Sequence, residues 1–355
     1  MNVMILSNIT TEPFFETAMS KCFLYHKKVT YKSISFEEVY YESNKALLLS
    51  ADYIIVLLNF FEYTEFNQEY ITNKNLYNNF RDKIIKYTLK TYDYLKYHCK
   101  GCIIWFGYEG YENKLKYACG HTYLLDKFID DVNVIVSKHI FENNVYIDLK
   151  GIIAQIGINN AYSTKNKYRW NSKYSEELWE QIAVEIHKQH LINNGITKKC
   201  IVLDCDNVLW GGILSEVGIE GIHLGNGCLG KEYQDFQCFL LNLYYHGVIL
   251  TICSKNDEAD VMRMFREHSG MLLKEEHISC FKVNWNDKPT NIKMIADELN
   301  IGTDSMVFVD DSLFEIEAVK AVLPNVVTIQ YDREFMYDKF SCFNLKRENG
   351  LYLCR

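Results

Sequence analysis

The sequence predicts an α/β protein built from two doubly wound domains, and three observations carry that expectation. Apolar runs at 3–6, 53–58 and 102–106 recur at 201–203, 247–253 and 306–309 and read as buried strands. Between them lie segments with helical spacing of apolar side chains, such as 14–24, 80–95 and the stretch with Phe236, Phe239, Leu240 and Leu243, so strands alternate with helices as they do around parallel sheets. The length of 355 residues gives each of two domains enough chain to bury a core.

The elements follow in chain order. Val3-Met-Ile-Leu6 is the first strand and delivers Ser7-Asn8 at its end; Tyr53-Ile-Ile-Val-Leu-Leu58 delivers Asn59, and Cys102-Ile-Ile-Trp-Phe106 is a third strand of the same sheet. No Asp-x-x-His sequence stands near the end of this half, so Ser7 reads as a turn residue before a helix. His121, His139, His187 and His190 lack ligand-like spacing, and the 26 tyrosines of the chain read as packing and interface area. Lys165-Asn-Lys-Tyr-Arg169 is a local basic patch on a chain of formal charge −8. A polar helix from about Tyr174 stops at His190-Leu-Ile-Asn-Asn-Gly195, where Asn and Gly are stop signals, and this sets the domains at 1–195 and 196–355 with a short linker.

The second half carries the chemistry. Ile201-Val-Leu-Asp-Cys-Asp206 brings Asp204 and Asp206 to the carboxyl end of a strand, where open α/β sheets do their work. Residues two apart face the same way along a strand, so two anions are brought together and call for a cation or a shared proton. A hydroxyl, Ser254, ends the next apolar run; Lys288 stands at a helix start with Pro289 beside it; Asp310 and Asp311 end a further run, followed by Ser312 in position to cap a helix. Acid, hydroxyl, lysine and acid pair suit phosphoryl transfer, with one carboxylate attacking phosphorus, a second moving the leaving-group proton, Mg²⁺ and lysine offsetting charge, and the serine holding a phosphoryl oxygen. No Walker A sequence is present. Residues 212–224, with Val217-Gly218 at the centre, read as a β-hairpin flap, and no large cap fits before the helix holding Phe236.

The four motifs Asp204-Cys-Asp-Asn-Val-Leu-Trp-Gly-Gly212, Cys253-Ser-Lys-Asn-Asp257, Asn284-Trp-Asn-Asp-Lys288 and Phe308-Val-Asp-Asp311 resemble, in order, the haloacid dehalogenase (HAD) superfamily of phosphohydrolases, subfamily IIIC, and within it the FkbH-like branch. The resemblance implies a HAD-like Rossmannoid domain and a Mg²⁺-dependent glyceryl transferase and phosphatase. Such an enzyme removes the phosphates of 1,3-bisphosphoglycerate, a small phosphorylated three-carbon substrate, and loads the glyceryl unit as a thioester on an acyl carrier protein for polyketide-type biosynthesis. By position, Asp204 resembles the nucleophile and a metal ligand, and Asp206 the general acid/base whose backbone carbonyl also touches Mg²⁺. Asp310 and Asp311 resemble the remaining metal carboxylates, Ser254 the phosphate-binding hydroxyl, and Lys288 the residue bridging nucleophile and phosphate. Two departures stand out: Val208 replaces the usual threonine, and Ile316 replaces the arginine of an Asn-Pro-x-Glu-Arg pattern. The first half resembles the SGNH-hydrolase-like, flavodoxin-like three-layer domain that accompanies this module, without its catalytic signature.

With no secretory leader in view, the 12 cysteines read as buried thiols. The glyceryl chemistry singles out Cys205 as a candidate acyl carrier, against which strand alternation argues, since a residue between two site-facing aspartates points away from them. Cys253 is the weaker candidate, and direct transfer to the carrier thiol is the other route. No apolar run approaches a membrane span, and net acidity without a basic stripe argues against nucleic acid, so a cytoplasmic enzyme is expected. Two alternatives stay open, a phosphomonoesterase acting on a small metabolite or a phosphorylated macromolecule, and a non-catalytic scaffold or carrier-binding protein.

Overall fold

The computed structural model describes residues 1–23, 29–60, 74–111, 124–140, 144–225, 227, 229–332, 337–340, 342–343, 345–348 and 351–354. The chain divides into two units, Met1–Gln189 and His190–Arg355, a division that falls near the carboxyl end of the helix Glu176–Asn193. Each unit is organised around its own sheet.

In the first unit β1 (Asn2–Ser7), β2 (Thr30–Ser35), β3 (Tyr53–Leu57), β4 (Cys102–Phe106) and β5 (Val145–Ile147) pair in parallel in the order β2-β1-β3-β4-β5. β3 and β4 are buried along their whole length, as expected of central strands covered on both faces. Alternate residues feed two cores. Val3, Ile5 and Ile55 pack with Phe15 and Trp179, while Met4, Ile54 and Trp105 pack with Leu48 and Phe128, so helices cover both faces in three layers. The direction of winding reverses between β1 and β3, and there Asn8 and Asn59 exchange hydrogen bonds, Nδ2 of Asn8 to the Asn59 carbonyl at 2.8 Å and the Asn59 N–H to Asn8 Oδ1 at 2.7 Å. Ser7 is buried and its Oγ accepts from the Ile9 N–H at 3.2 Å, the turn role the sequence suggests.

In the second unit β6 (Cys200–Leu203), β7 (Ile249–Ser254), β8 (Ile278–Val283), β9 (Met306–Asp310) and β10 (Val327–Gln330) are all parallel in the order β10-β9-β6-β7-β8. A small antiparallel pair, β11 (Leu345–Glu348) and β12 (Leu351–Cys354), follows. Here too alternation splits the core, Ile201 and Leu203 facing Phe236 and Leu240 on one side, Cys200 and Val202 facing Ile292 and Ile316 on the other. The register pairs Leu203 with Val309, so the residues that follow, Asp204 and Asp310, leave the sheet side by side at the point where the winding reverses.

One expectation is corrected. Residues 212–224 do not form a β-hairpin: their ends meet in a single antiparallel bridge between Gly211 and His223, but Leu214–Gly221 is helical, kinked at Gly218 with φ 68°. A run of Leu, Ser, Glu, Val, Ile and Glu around that glycine has helix formers enough to wind up, and it presents no face of alternating apolar residues to a partner strand. No larger insert separates it from the helix Lys231–Tyr245.

The first unit also buries charge. Glu109, fully buried, accepts from the Tyr162 hydroxyl at 2.5 Å, from the Tyr174 hydroxyl at 3.3 Å and from the Tyr111 N–H at 3.0 Å, and it pairs with the buried ammonium of Lys173. These bonds tie the loop after β4 to residues 162–174, which hold the exposed helix Thr164–Trp170 with Lys165, Lys167 and Arg169. Removing one partner of such a pair strands the other charge, so Glu109→Ala should lower the unfolding free energy by about 3–5 kcal/mol. Urea unfolding followed by tryptophan fluorescence checks this, and a loss under about 1 kcal/mol would mean that the pair is solvated.

Candidate active site

Three strand ends converge at the carboxyl edge of the second sheet. Asp204 follows β6, Ser254 ends β7, and Asp310 ends β9 with Asp311 next to it. The turn after β6 is fixed by backbone bonds from Val208 and Leu209 N–H to the Cys205 carbonyl and by Asn207, which adopts a left-handed φ of 55° and accepts from the Gly212 N–H at 3.0 Å. A buried amide holds the same turn from outside: Gln237 donates to the Leu209 carbonyl at 2.8 Å and accepts from the Leu272 and Leu273 N–H groups.

Lys288 is the centre of charge. It starts the helix Lys288–Leu299, whose first turn is capped by the Asp287 carboxylate accepting from Thr290 N–H at 3.0 Å, with Pro289 in the first turn where its missing N–H costs nothing. Its Nζ donates to Asp204 Oδ1 and to the Cys253 carbonyl, both at 2.6 Å, and stands 3.3 Å from Asp310 Oδ2. Burial pulls this ammonium toward neutrality, but Asp204, with Cys253 and Asp310, outweighs it and holds the pKa above its ordinary value.

Asp204, Asp310 and Asp311 bring carboxylate oxygens within 4.8 Å of one another. Among the described residues this is the one such cluster of potential metal ligands. Burial and then the Asp204 charge raise the pKa of Asp310 and of Asp311. Asp310 Oδ1 accepts from Ser312 N–H at 2.9 Å, but the buried Oδ2 has no hydrogen-bond partner, being near Lys288 without the alignment for a bond. An orphaned buried oxygen among three converging carboxylates fits a hard divalent cation, which takes oxygen ligands.

Asp206 faces the same side. Its Oδ1 accepts from the Trp210 indole at 2.8 Å and from Leu214 N–H at 3.2 Å, and its Oδ2 accepts from Asn256 Nδ2 at 2.9 Å. Burial raises its pKa, while the bonds from Asn256, Trp210 and Leu214 work in the opposite direction. Ser254 is buried next to it. The structure thus gathers Asp204, Asp206, Ser254, Lys288, Asp310 and Asp311 at one sheet edge.

Cys205 lies beside Ser254 but is enclosed. It is fully buried in the apolar cluster with Leu203 and Val208, and burial followed by the Asp204 charge holds its thiol well above the usual range, so the expectation of an acyl-bearing thiolate finds no support in the geometry. Cys253 is likewise buried, its thiol pushed up to about 12 by burial. The departure at Val208 has a packing reason, since the side chain is fully enclosed among apolar neighbours. Ile316 is also core, packed against the sheet face that holds Val202. Ser312 occupies the cap position of the helix Leu313–Val322, but its side chain makes no capping bond; the Asp310 carboxylate takes the Ser312 N–H instead. His139 pairs with Asp93, His187 packs edge-on against Phe23 and His190 bonds Asn194; His121 lies outside the described residues.

Sequence reasoning missed Asn256, Trp210 and the ion pair of Lys255 with Glu315 at 2.6 Å. The signal was available for two of them, because Trp210 is four residues after Asp206 and Asn256 two after Ser254, both inside motifs already singled out.

No protein-family profile matches the chain, and no curated protein matches it. Among solved structures, the N-terminal part of the protein BF1531 from Bacteroides fragilis, containing a phosphatase domain and complexed with Mg, superposes with a TM-score of 0.77 at 25% identity, covering 94% of this chain and 89% of that one. The HAD family enzyme bt-2542 from Bacteroides thetaiotaomicron, with magnesium and inorganic phosphate, gives a TM-score of 0.30 at 10% identity over 40% of this chain and 98% of that one. The 3-deoxy-D-manno-octulosonate 8-phosphate phosphatase of Moraxella catarrhalis gives 0.25 at 22% identity, covering 37% and 67%. Overlays as loose as the last two leave the comparison resting on the first.

With Lys288 removed, the buried carboxylates face each other unbalanced. Lys288→Met, measured without divalent cations, should lose about 3–5 kcal/mol of stability. Adding a divalent cation should raise the variant's melting temperature more than the wild type's; an equal response in both would separate the cluster from cation binding.

Proposed function

We propose that this chain is a Mg²⁺-dependent phosphohydrolase that works through an aspartyl-phosphate on Asp204. The observation that carries the reading is the convergence of Asp204, Asp310 and Asp311 around the buried Lys288 ammonium at the switch point of a parallel sheet. The phosphatase domain and Mg of the Bacteroides fragilis structure support it. Asp204, Asp310 and Asp311 would hold the ion, with the Asp206 backbone carbonyl as the motif resemblance implies. When bound, Mg²⁺ supplies positive charge against the phosphoryl oxygens.

The residues divide the chemistry. An Asp204 carboxylate oxygen attacks phosphorus, the bond from phosphorus to the leaving oxygen breaks, and Asp206 hands its proton to that oxygen. A water oxygen then attacks the same phosphorus, Asp206 takes its proton, and phosphate departs from a regenerated Asp204. Lys288 offsets the charge of the nucleophile and of the phosphoryl group, and the Ser254 hydroxyl donates to a phosphoryl oxygen.

A finer reading follows from the motif order and from the short helical flap, which among the described residues has no large cap between it and the helix Lys231–Tyr245. In it the chain is FkbH-like: it removes phosphate from 1,3-bisphosphoglycerate and passes the glyceryl unit to an acyl carrier protein, with the first unit as an SGNH-like companion. Because Cys205 is enclosed, the carrier thiol attacks the C1 carbonyl directly, the bond to the acyl phosphate breaks and phosphate leaves as the thioester forms, while Asp204 takes only the C3 phosphate.

Asp204→Asn should abolish phosphate release in Mg²⁺, and Asp206→Asn should lower kcat by roughly 10²–10⁴-fold, whereas full activity in Asp204→Asn would exclude the aspartyl-phosphate. Intact mass of a phosphopantetheine-bearing carrier, incubated with wild type, Mg²⁺ and 1,3-bisphosphoglycerate generated in place, should gain a glyceryl unit. Phosphate release without any gain leaves the phosphohydrolase and removes the transferase.

A further inference from the structure

We propose that Asn256 is a positioning residue that orients both the acid–base carboxylate of Asp206 and the phosphoryl-binding hydroxyl of Ser254; this rests on the phosphohydrolase reading and deepens it. One amide nitrogen serves both groups. Asn256 Nδ2 donates to Asp206 Oδ2 at 2.9 Å and to Ser254 Oγ at 3.2 Å, one N–H for each. The assignment of nitrogen and oxygen in this amide follows from its neighbours, since the reverse would set a carbonyl oxygen against a carboxylate oxygen.

The side chain is 3% exposed, so water does not compete for either bond. Its backbone is equally fixed, because the next residue, Asp257, caps the helix Glu258–Glu267 by accepting from Ala259 N–H at 2.9 Å. Asp206 and Asn256 follow adjacent strands, β6 and β7, so the amide links two strand ends that each carry one function. Trp210 and Leu214 hold Oδ1 from the turn and the flap, and Asn256 is the hold on Oδ2. For Ser254, accepting from Asn256 leaves its single proton for another acceptor. The remaining acceptors are a phosphoryl oxygen and the Cys205 sulfur beside it, a weak acceptor.

The two roles leave separable traces. Proton transfer from Asp206 matters most where the departing oxygen is strongly basic, as in an alkyl phosphate, and least for p-nitrophenyl phosphate, whose phenolate leaves unaided. Orientation of Ser254 matters equally for both, through phosphoryl binding. We would compare wild type, Asn256→Ala and the isosteric Asn256→Asp in Mg²⁺, with circular dichroism to establish folding; if the alanine variant does not fold, the aspartate variant carries the same test. Expected for the variants is a loss in kcat/KM, which reads phosphoryl transfer to Asp204 and not the later attack of water, of about 10²-fold on the alkyl phosphate but about tenfold or less on p-nitrophenyl phosphate. Competitive inhibition by inorganic phosphate should weaken about tenfold on both. Equal kcat/KM losses on the two substrates, or no loss, would overturn the positioning role while leaving the phosphohydrolase intact. A wild type inactive on both substrates would overturn the phosphohydrolase reading, and this inference with it.

Discussion

Like charges gathered at a sheet edge are the constraint on which the second unit depends. At about 4 Å, two carboxylates repel by roughly 4 kcal/mol at an effective dielectric near 20, and burial strengthens the effect. The fold answers with Lys288, brought in by a helix whose first turn is capped by its own neighbour Asp287 and whose proline fixes the entry. The ammonium reaches two of the acids and a strand-end carbonyl in one position, so the helix, the loop before it and the ends of β6, β7 and β9 are mutually located by a single cation.

That arrangement is asymmetric in a useful way. Asp204 is held by Lys288, Asp310 keeps one oxygen without a hydrogen-bond partner, and Asp206 has both oxygens engaged by donors from a turn, a flap and a neighbouring strand. Identical side chains therefore meet different surroundings at one sheet edge, and the proposed function divides attack, cation binding and proton movement among them accordingly.

Much of this was legible in the sequence because parallel strands are local signals. The runs at 201–203, 247–253 and 306–309 became β6, β7 and β9, and their polar end residues landed together, since a right-handed βα succession leaves few other places for them. Cys205, between the two acids, shares the core of Leu203. What escaped depended on contacts distant in sequence. The motif around Ser254 marks Asn256 as near the site but not its bond to Asp206, 50 residues away, and nothing near Lys255 announces Glu315. The flap was misread for a different reason: a glycine between two short apolar stretches signals a hairpin or a kinked helix equally well, and the choice was made by whether a strand partner was present.

The parallel pairing of Leu203 with Val309 also shapes how such a chain can change over generations. A slip of one residue in either strand would send its terminal acid to the opposite face of the sheet. Residues 200–203 and 306–310 are thus closed to insertions and deletions, whereas the flap can lengthen between Leu214, whose N–H holds Asp206, and the bridge of Gly211 with His223. An insertion placed there would extend over the sheet edge, while the spacing of the carboxylates beneath stays as the strand register sets it.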